Sequence, residues 1–157
     1  MPRHFQGETN GDGLRIGIAL ARFNQAVTDR LLAGALEALG KHGVADDAID
    51  VATVPGAFEL PLCVQRMAAS GRYNAIVCLG AVVRGETPHF DFVAGEAARG
   101  LADVARAHDL PIGFGVLTTD TMAQALERAG GARGNKGYEA AVTALEMVHV
   151  RRAVLRF

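Results

Sequence analysis

The residues best suited to chemistry fall in one stretch, Gly80-Ala-Val-Val-Arg-Gly-Glu-Thr-Pro-His89-Phe-Asp-Phe92. A histidine such as His89 can move a proton near neutral pH. Gly85 lets backbone approach a ligand closely. The amides of residues 84–87 can turn toward an anion at the positive end of a following helix. Two earlier stretches add to this, Arg22-Phe23-Asn24 and Ala57-Phe58-Glu59. Together the three offer an aromatic face, a carboxylate, a nest the size of a phosphate and an acid/base. Each also has a plainer reading. Phe23 could be core. Glu59 could be a solvated first-turn acid favoured by the helix dipole, worth up to about 1 kcal/mol. Arg128 could be a helix-end cation, and His89 could merely decorate a first turn. The residues alone leave these alternatives open.

The elements that must position them alternate along the chain. Apolar runs predict parallel strands at residues 15–21, 49–54, 75–79 and 112–117. Helical spacing predicts helices over about 25–41, 60–70, 88–108, 122–129 and 138–150. Leu32, Leu36 and Leu39 are the expected apolar stripe of the first helix, stopped by Gly43. Val93, Ala97, Leu101, Val104 and Ala105 serve the third, and Ala141, Ala144, Leu145 and Val148 the last. Thr87 is the expected N-cap of the third helix, with Pro88 at its first position. Pro61 fits only a first turn, so the second helix begins near 59 or 60. The result is an α/β domain: a three-layer α/β/α sandwich around a four-stranded parallel sheet with right-handed crossovers. The three reactive stretches all follow strand C-termini, where open α/β sheets bind ligands. Residues 1–13 are polar and Gly-rich and read as a flexible arm before a single domain at 14–157.

Composition narrows the function classes. Half of the 157 residues are hydrophobic, enough for one core. Net charge is -1 with no long basic run, which argues against a nucleic-acid surface. No apolar run could cross a bilayer, and the N-terminus has no signal-like segment. Cys63 and Cys78 lie in apolar contexts without metal spacing, so they read as buried thiols in a reducing, hence cytoplasmic, compartment. There is no metal constellation and no dinucleotide fingerprint.

Five segments occur in a distinctive order: Ala21-Arg-Phe-Asn24, Val54-Pro-Gly-Ala-Phe-Glu-Leu-Pro61, Gly80 to Phe90 as above, Gly113-Phe-Gly-Val-Leu-Thr-Thr119 and Gly134-Asn-Lys-Gly137. In these the chain resembles the 6,7-dimethyl-8-ribityllumazine synthases of riboflavin biosynthesis, from about residue 14 to 150. The resemblance implies a flavodoxin-like fold. It implies condensation of 5-amino-6-(D-ribitylamino)uracil with 3,4-dihydroxy-2-butanone 4-phosphate, without a cofactor. His89 then resembles the proton-transfer residue and Phe23 the aromatic that stacks on the pyrimidine. Ala57, Phe58 and Glu59 resemble the segment holding the ribityl chain. Ala81, Val82 and Val83 resemble the backbone edge that pairs with the pyrimidine. Gly85, Glu86 and Thr87 resemble the phosphate loop, Glu86 contributing its amide while its side chain points away. Arg128 resembles the arginine that clamps the phosphate. Phe114 and Lys136 resemble further site residues, Phe114 coming from a neighbouring subunit.

The family implies a homopentamer, and in some members a sixty-subunit shell of twelve pentamers; the uninserted segment 129–135 permits the shell. Many members add an N-terminal strand to a neighbour's sheet, but residues 1–13 hold no β-branched run for one. A catalytically silent lumazine- or flavin-binding carrier or shell protein is the alternative. Such a protein should have lost His89 or Arg128, and both are present.

Overall fold

A computed structural model describes residues 1–156. Four parallel strands form the sheet: β1 (Ile16–Ala21), β2 (Ile49–Val54), β3 (Ala75–Val83) and β4 (Ile112–Thr119), in the order β2-β1-β3-β4. Their side chains alternate between two cores, as a pleat requires. Ile16, Ile18, Leu20, Val77 and Leu79 face one core, shared with α1 (Gln25–Lys41) and α5 (Lys136–Leu155). Ala19, Ala21, Ile76, Cys78 and Val116 face the other, shared with α2 (Leu60–Ala69) and α3 (His89–His108). This is the expected three-layer flavodoxin-like sandwich.

Small residues set the layer spacing. A Cβ on Gly137 would lie 2.1 Å from the Leu31 carbonyl oxygen, so α5 can sit directly on α1 only with glycine there. One expected stripe is rotated: on α1 the buried residues are Val27, Thr28, Leu31, Gly34, Ala35, Ala38 and Leu39, while Leu36 is exposed. The buried face mixes Leu31 and Leu39 with Gly34, Ala35 and Ala38, and Gly137 of α5 sits against the Leu31 backbone because close packing favours small residues there.

Several bounds also differ. β3 and β4 run on to Val83 and Thr119 because their register continues unbroken through Ala81↔Leu117 and Val83↔Thr119. α3 starts at His89 with Pro88 at the cap position, one residue later than expected, and the Thr87 hydroxyl accepts from the His89 amide at 3.4 Å from just before it. α4 (Met122–Glu127) ends early, and the chain turns through a small antiparallel ladder of β5 (Ala129–Gly131) and β6 (Gly134–Asn135) that periodicity did not signal. Residues 1–13 form no strand. They run beside α5, where the His149 Nε2–H donates to the Asn10 carbonyl at 2.6 Å.

Candidate active site

Chain order reverses between β1 and β3, since β2 lies on one side of β1 and β4 beyond β3. Ligands of open α/β sheets bind at the strand ends beside such a reversal. A cleft of roughly 560 Å³ opens there. Phe23, Ala57, Phe58, Glu59, Ala81, Val82, Val83, Gly85, Thr87 and His89 all line it. Ten of the fourteen residues singled out in the sequence therefore meet at one place.

Local geometry explains how. β1 pairs with β3 as far as Leu79, so residues 80–83 project past β1 and, among the described residues, pair with β4 alone. The Arg84 amide turns to β4, donating to the Thr119 carbonyl at 2.8 Å. By strand alternation, Ala81 and Val83 present their amides and carbonyls to the opposite, cleft side. Asn24 reads that edge: its Nδ2–H donates to the Ala81 carbonyl at 2.9 Å. Asn24 holds a left-handed backbone, φ 63°, which asparagine tolerates better than most residues. That turn leaves Phe23 standing 69 % exposed over the cleft, which decides against the core reading. The Phe23 amide donates to the Pro55 carbonyl, fixing the turn to the neighbouring strand end.

The second strand end delivers its residues through a 3₁₀ turn, Ala57–Glu59. Ala57 is buried, while Phe58 and Glu59 are exposed to the cleft. The Glu59 carboxylate folds back over Gly56, where a Cβ would come within 3.3 Å of Oε1. The loop 84–88 is open around Gly85, and the Thr87 hydroxyl lies 3.4 Å from the His89 amide. The Arg84 amide, expected to face an anion, is committed to Thr119 instead. Glu86 does not line the cleft. Phe92, three residues beyond His89 on α3, lines it as a third exposed aromatic, although sequence reasoning gave it no role. Its helical spacing from His89 was the available signal.

Three expected site residues lie elsewhere. Phe114, Arg128 and Lys136 line a second cleft of roughly 480 Å³ beyond β4, with Thr118, Thr119, Arg133 and Glu139. The two clefts share no lining residue, and the Val83↔Thr119 rung separates them. In the second cleft, Arg128 Nη1 donates to the Gln124 carbonyl at 3.0 Å, and the Glu127 carboxylate is 3.7 Å away. Asn135 caps α5 by accepting from the Tyr138 amide at 3.0 Å, and its Nδ2–H donates to the Arg30 carbonyl. In the Gly134-Asn-Lys-Gly137 segment, then, Asn135 and Gly137 are structural and hold Lys136 at the cleft.

Fold and cleft together define an open-sheet α/β protein with a cleft at its strand-order reversal, lined by exposed aromatics, a carboxylate and a histidine. A model of the 6,7-dimethyl-8-ribityllumazine synthase family matches residues 13–152. The chain is also 55% identical over 150 residues to the 6,7-dimethyl-8-ribityllumazine synthase of Desulfatibacillum aliphaticivorans, covering 96% of this chain and 97% of that protein. The chain belongs to the 6,7-dimethyl-8-ribityllumazine synthase family.

Proposed function

We infer that this chain is a transferase of riboflavin biosynthesis. It condenses 5-amino-6-(D-ribitylamino)uracil with 3,4-dihydroxy-2-butanone 4-phosphate to 6,7-dimethyl-8-ribityllumazine. The observation that carries the reading is the single cleft gathering Phe23, Ala57–Glu59, the open β3 edge and His89. The pyrimidine stacks on Phe23 and pairs with the backbone of residues 81–83. Glu59 accepts hydrogen bonds from the ribityl hydroxyls. The pyrimidine amine attacks the ketone and loses water to form a Schiff base. Phosphate then leaves, and the second amine closes the ring with loss of another water. These steps need proton transfers and a held anion. His89, one residue past Pro88 at the mouth of the phosphate loop, supplies the proton relay. Gly85 and Thr87 hold the phosphate.

Arg128 is the natural phosphate clamp, since a guanidinium meets phosphate through two parallel hydrogen bonds. It is in the wrong cleft to serve its own His89. We assign the second cleft, with Phe114, Arg128 and Lys136, to the site of an adjacent subunit, in a homopentamer. Exposed apolar side chains at both clefts, Phe58 and Phe92 at the first and Phe114 at the second, support such a subunit contact. Whether pentamers close into a sixty-subunit shell is read from particle mass. No helix among the described residues is long and apolar enough to cross a membrane. The free thiols Cys63 and Cys78 suit the reducing cytoplasm.

The test is lumazine absorbance on mixing both substrates with purified protein, beside His89→Ala. Formation well above the spontaneous rate is expected, with His89→Ala slower by about a hundred- to ten-thousand-fold in the catalysed part. Background-level formation with lumazine still bound would instead identify a carrier.

A further inference from the structure

Arg84 has no task in the scheme above, and its side chain does not line the cleft. It is nevertheless tied on three sides. Its Nε–H donates to Asp120 Oδ1 at 2.9 Å, and its Nη1 lies 3.6 Å from Asp91 Oδ1. The guanidinium carbon stands 4.4 Å from the centre of the Phe90 ring, a cation–π distance. Its amide is the one bonded to the Thr119 carbonyl. Asp120 is itself fixed: its amide donates to Gln124 Oε1 at 2.9 Å, beside the Thr121–Gln124 capping box that starts α4.

Arg84 therefore bridges two bodies. One is the rigid corner between β4 and α4. The other is the first turn of α3, which carries His89, Phe90 and Asp91. The loop of residues 85–88 is suspended between them, with nothing within 4 Å of a Cβ placed on Gly85. Its ends, and not its middle, determine its shape. Arg84 holds the near end through its backbone and the far end through its side chain. Its charge matters as well, because Asp91 and Asp120 would otherwise stand as bare carboxylates beside a loop that must receive a phosphate dianion. The side chains are all well exposed, Arg84 at 46%, Asp91 at 61% and Asp120 at 68%. Ion pairs that exposed add little to folding stability. Their consequence is for the site.

We propose that Arg84 is a positioning residue for phosphate binding: it clamps the loop 85–88 and the His89 turn to the β4–α4 corner and masks Asp91 and Asp120 from the incoming phosphate. The proposal rests on the assignment of Gly85 and Thr87 to the phosphate.

Steady-state kinetics with each substrate varied in turn tests it, on wild type, Arg84→Gln, Arg84→Lys and the double variant Arg84→Gln/Asp120→Asn. Arg84→Gln should raise KM for the ketone phosphate about ten-fold and lower kcat, leaving KM for the pyrimidine within about two-fold. Arg84→Lys keeps the charge but not the planar fork, so it should recover that KM while kcat stays low. Removing one exposed carboxylate in the double variant should recover part of the KM. Thermal midpoints should move by no more than about 3 °C. Parallel losses for both substrates that track a large fall in midpoint would make Arg84 merely structural and overturn the proposal. So would an Arg84→Gln enzyme indistinguishable from an active wild type. A wild type that forms no lumazine removes the reaction, and the proposal with it.

Discussion

The proposed sharing of one site between adjacent subunits makes a quantitative prediction. His89 lines the first cleft and Arg128 the second. His89→Ala should leave at most about 1% of catalysed turnover, the lower bound for a lost acid–base group. Arg128→Ala removes charge-assisted hydrogen bonds to phosphate worth about 1.5–3 kcal/mol each, so it should fall to about 10% or less at substrate levels that saturate wild type. Now let the two variants be co-expressed in equal amounts under different tags. In a closed ring every site takes its first cleft from one subunit and its second from the next. A site is whole when the first subunit carries the Arg128→Ala change and its neighbour the His89→Ala change. Each condition holds half the time, so about one quarter of the sites carry both native groups. Doubly tag-purified oligomers should therefore show about a quarter of wild-type turnover, well above either variant alone. Lumazine absorbance reads this directly, with kcat normalised to total subunits. Activity equal to the average of the two parents would refute the shared site and return Arg128 to a structural role.

Other consequences are simpler to measure. Phe23→Ala should weaken binding of a lumazine analogue by about 1–3 kcal/mol, the worth of an aromatic stack on a base, as read by fluorescence titration; equal affinity would make Phe23 a surface residue only. Gly137→Ala should cost about 1–3 kcal/mol through overpacking against the Leu31 carbonyl and lower the thermal midpoint by several degrees. Gly40→Ala, with nothing within 4 Å, should not destabilise and serves as its control. Asp109 ends α3 with φ 49° and accepts from Arg151 Nη2 at 2.6 Å. That hydrogen bond lowers its carboxyl from the ordinary carboxylate value, opposed by desolvation and aided by the Arg151 charge. A depressed folded value means stability present above the unfolded value and lost as pH falls through the folded one. Asp109→Asn should thus melt below wild type at neutral pH and converge with it in strong acid. An offset that stays constant down to strong acid would refute the ion pair as its source.

Much of the cleft was legible because its residues follow strand ends that apolar runs mark plainly. β1 and β2 end at Ala21 and Val54, just before Arg22-Phe23-Asn24 and Pro55-Gly56. The end of β3 was harder to read. Gly80 looks like a loop residue in isolation, and only the shared register with β4 carries the strand through to Val83. That extension leaves the edge of residues 81–83 facing the cleft, and it commits the Arg84 amide to the Thr119 carbonyl rather than to the expected anion nest.

The division into two clefts was least legible, for a reason of topology rather than chemistry. Only the family resemblance marks Phe114 and Lys136 as site residues, and Arg128 by itself reads as a helix-end cation; the pattern sets Phe114 inside a strand and the other two at helix ends. Which side of the sheet's edge they reach depends on strand order, and strand order is set by long-range packing that no local pattern encodes. With β4 outermost, the residues after it open away from β1, toward whatever lies beyond the sheet. The outer side carries a cleft with Arg128, Arg133, Lys136 and Phe114, and the inner side the loop that leads into His89; the proposed site joins the two. An adjacent copy placing its outer cleft against this chain's inner one would bring Arg128 to the phosphate loop. The order β2-β1-β3-β4 thus turns a list of reactive residues in one chain into an argument for a ring of subunits.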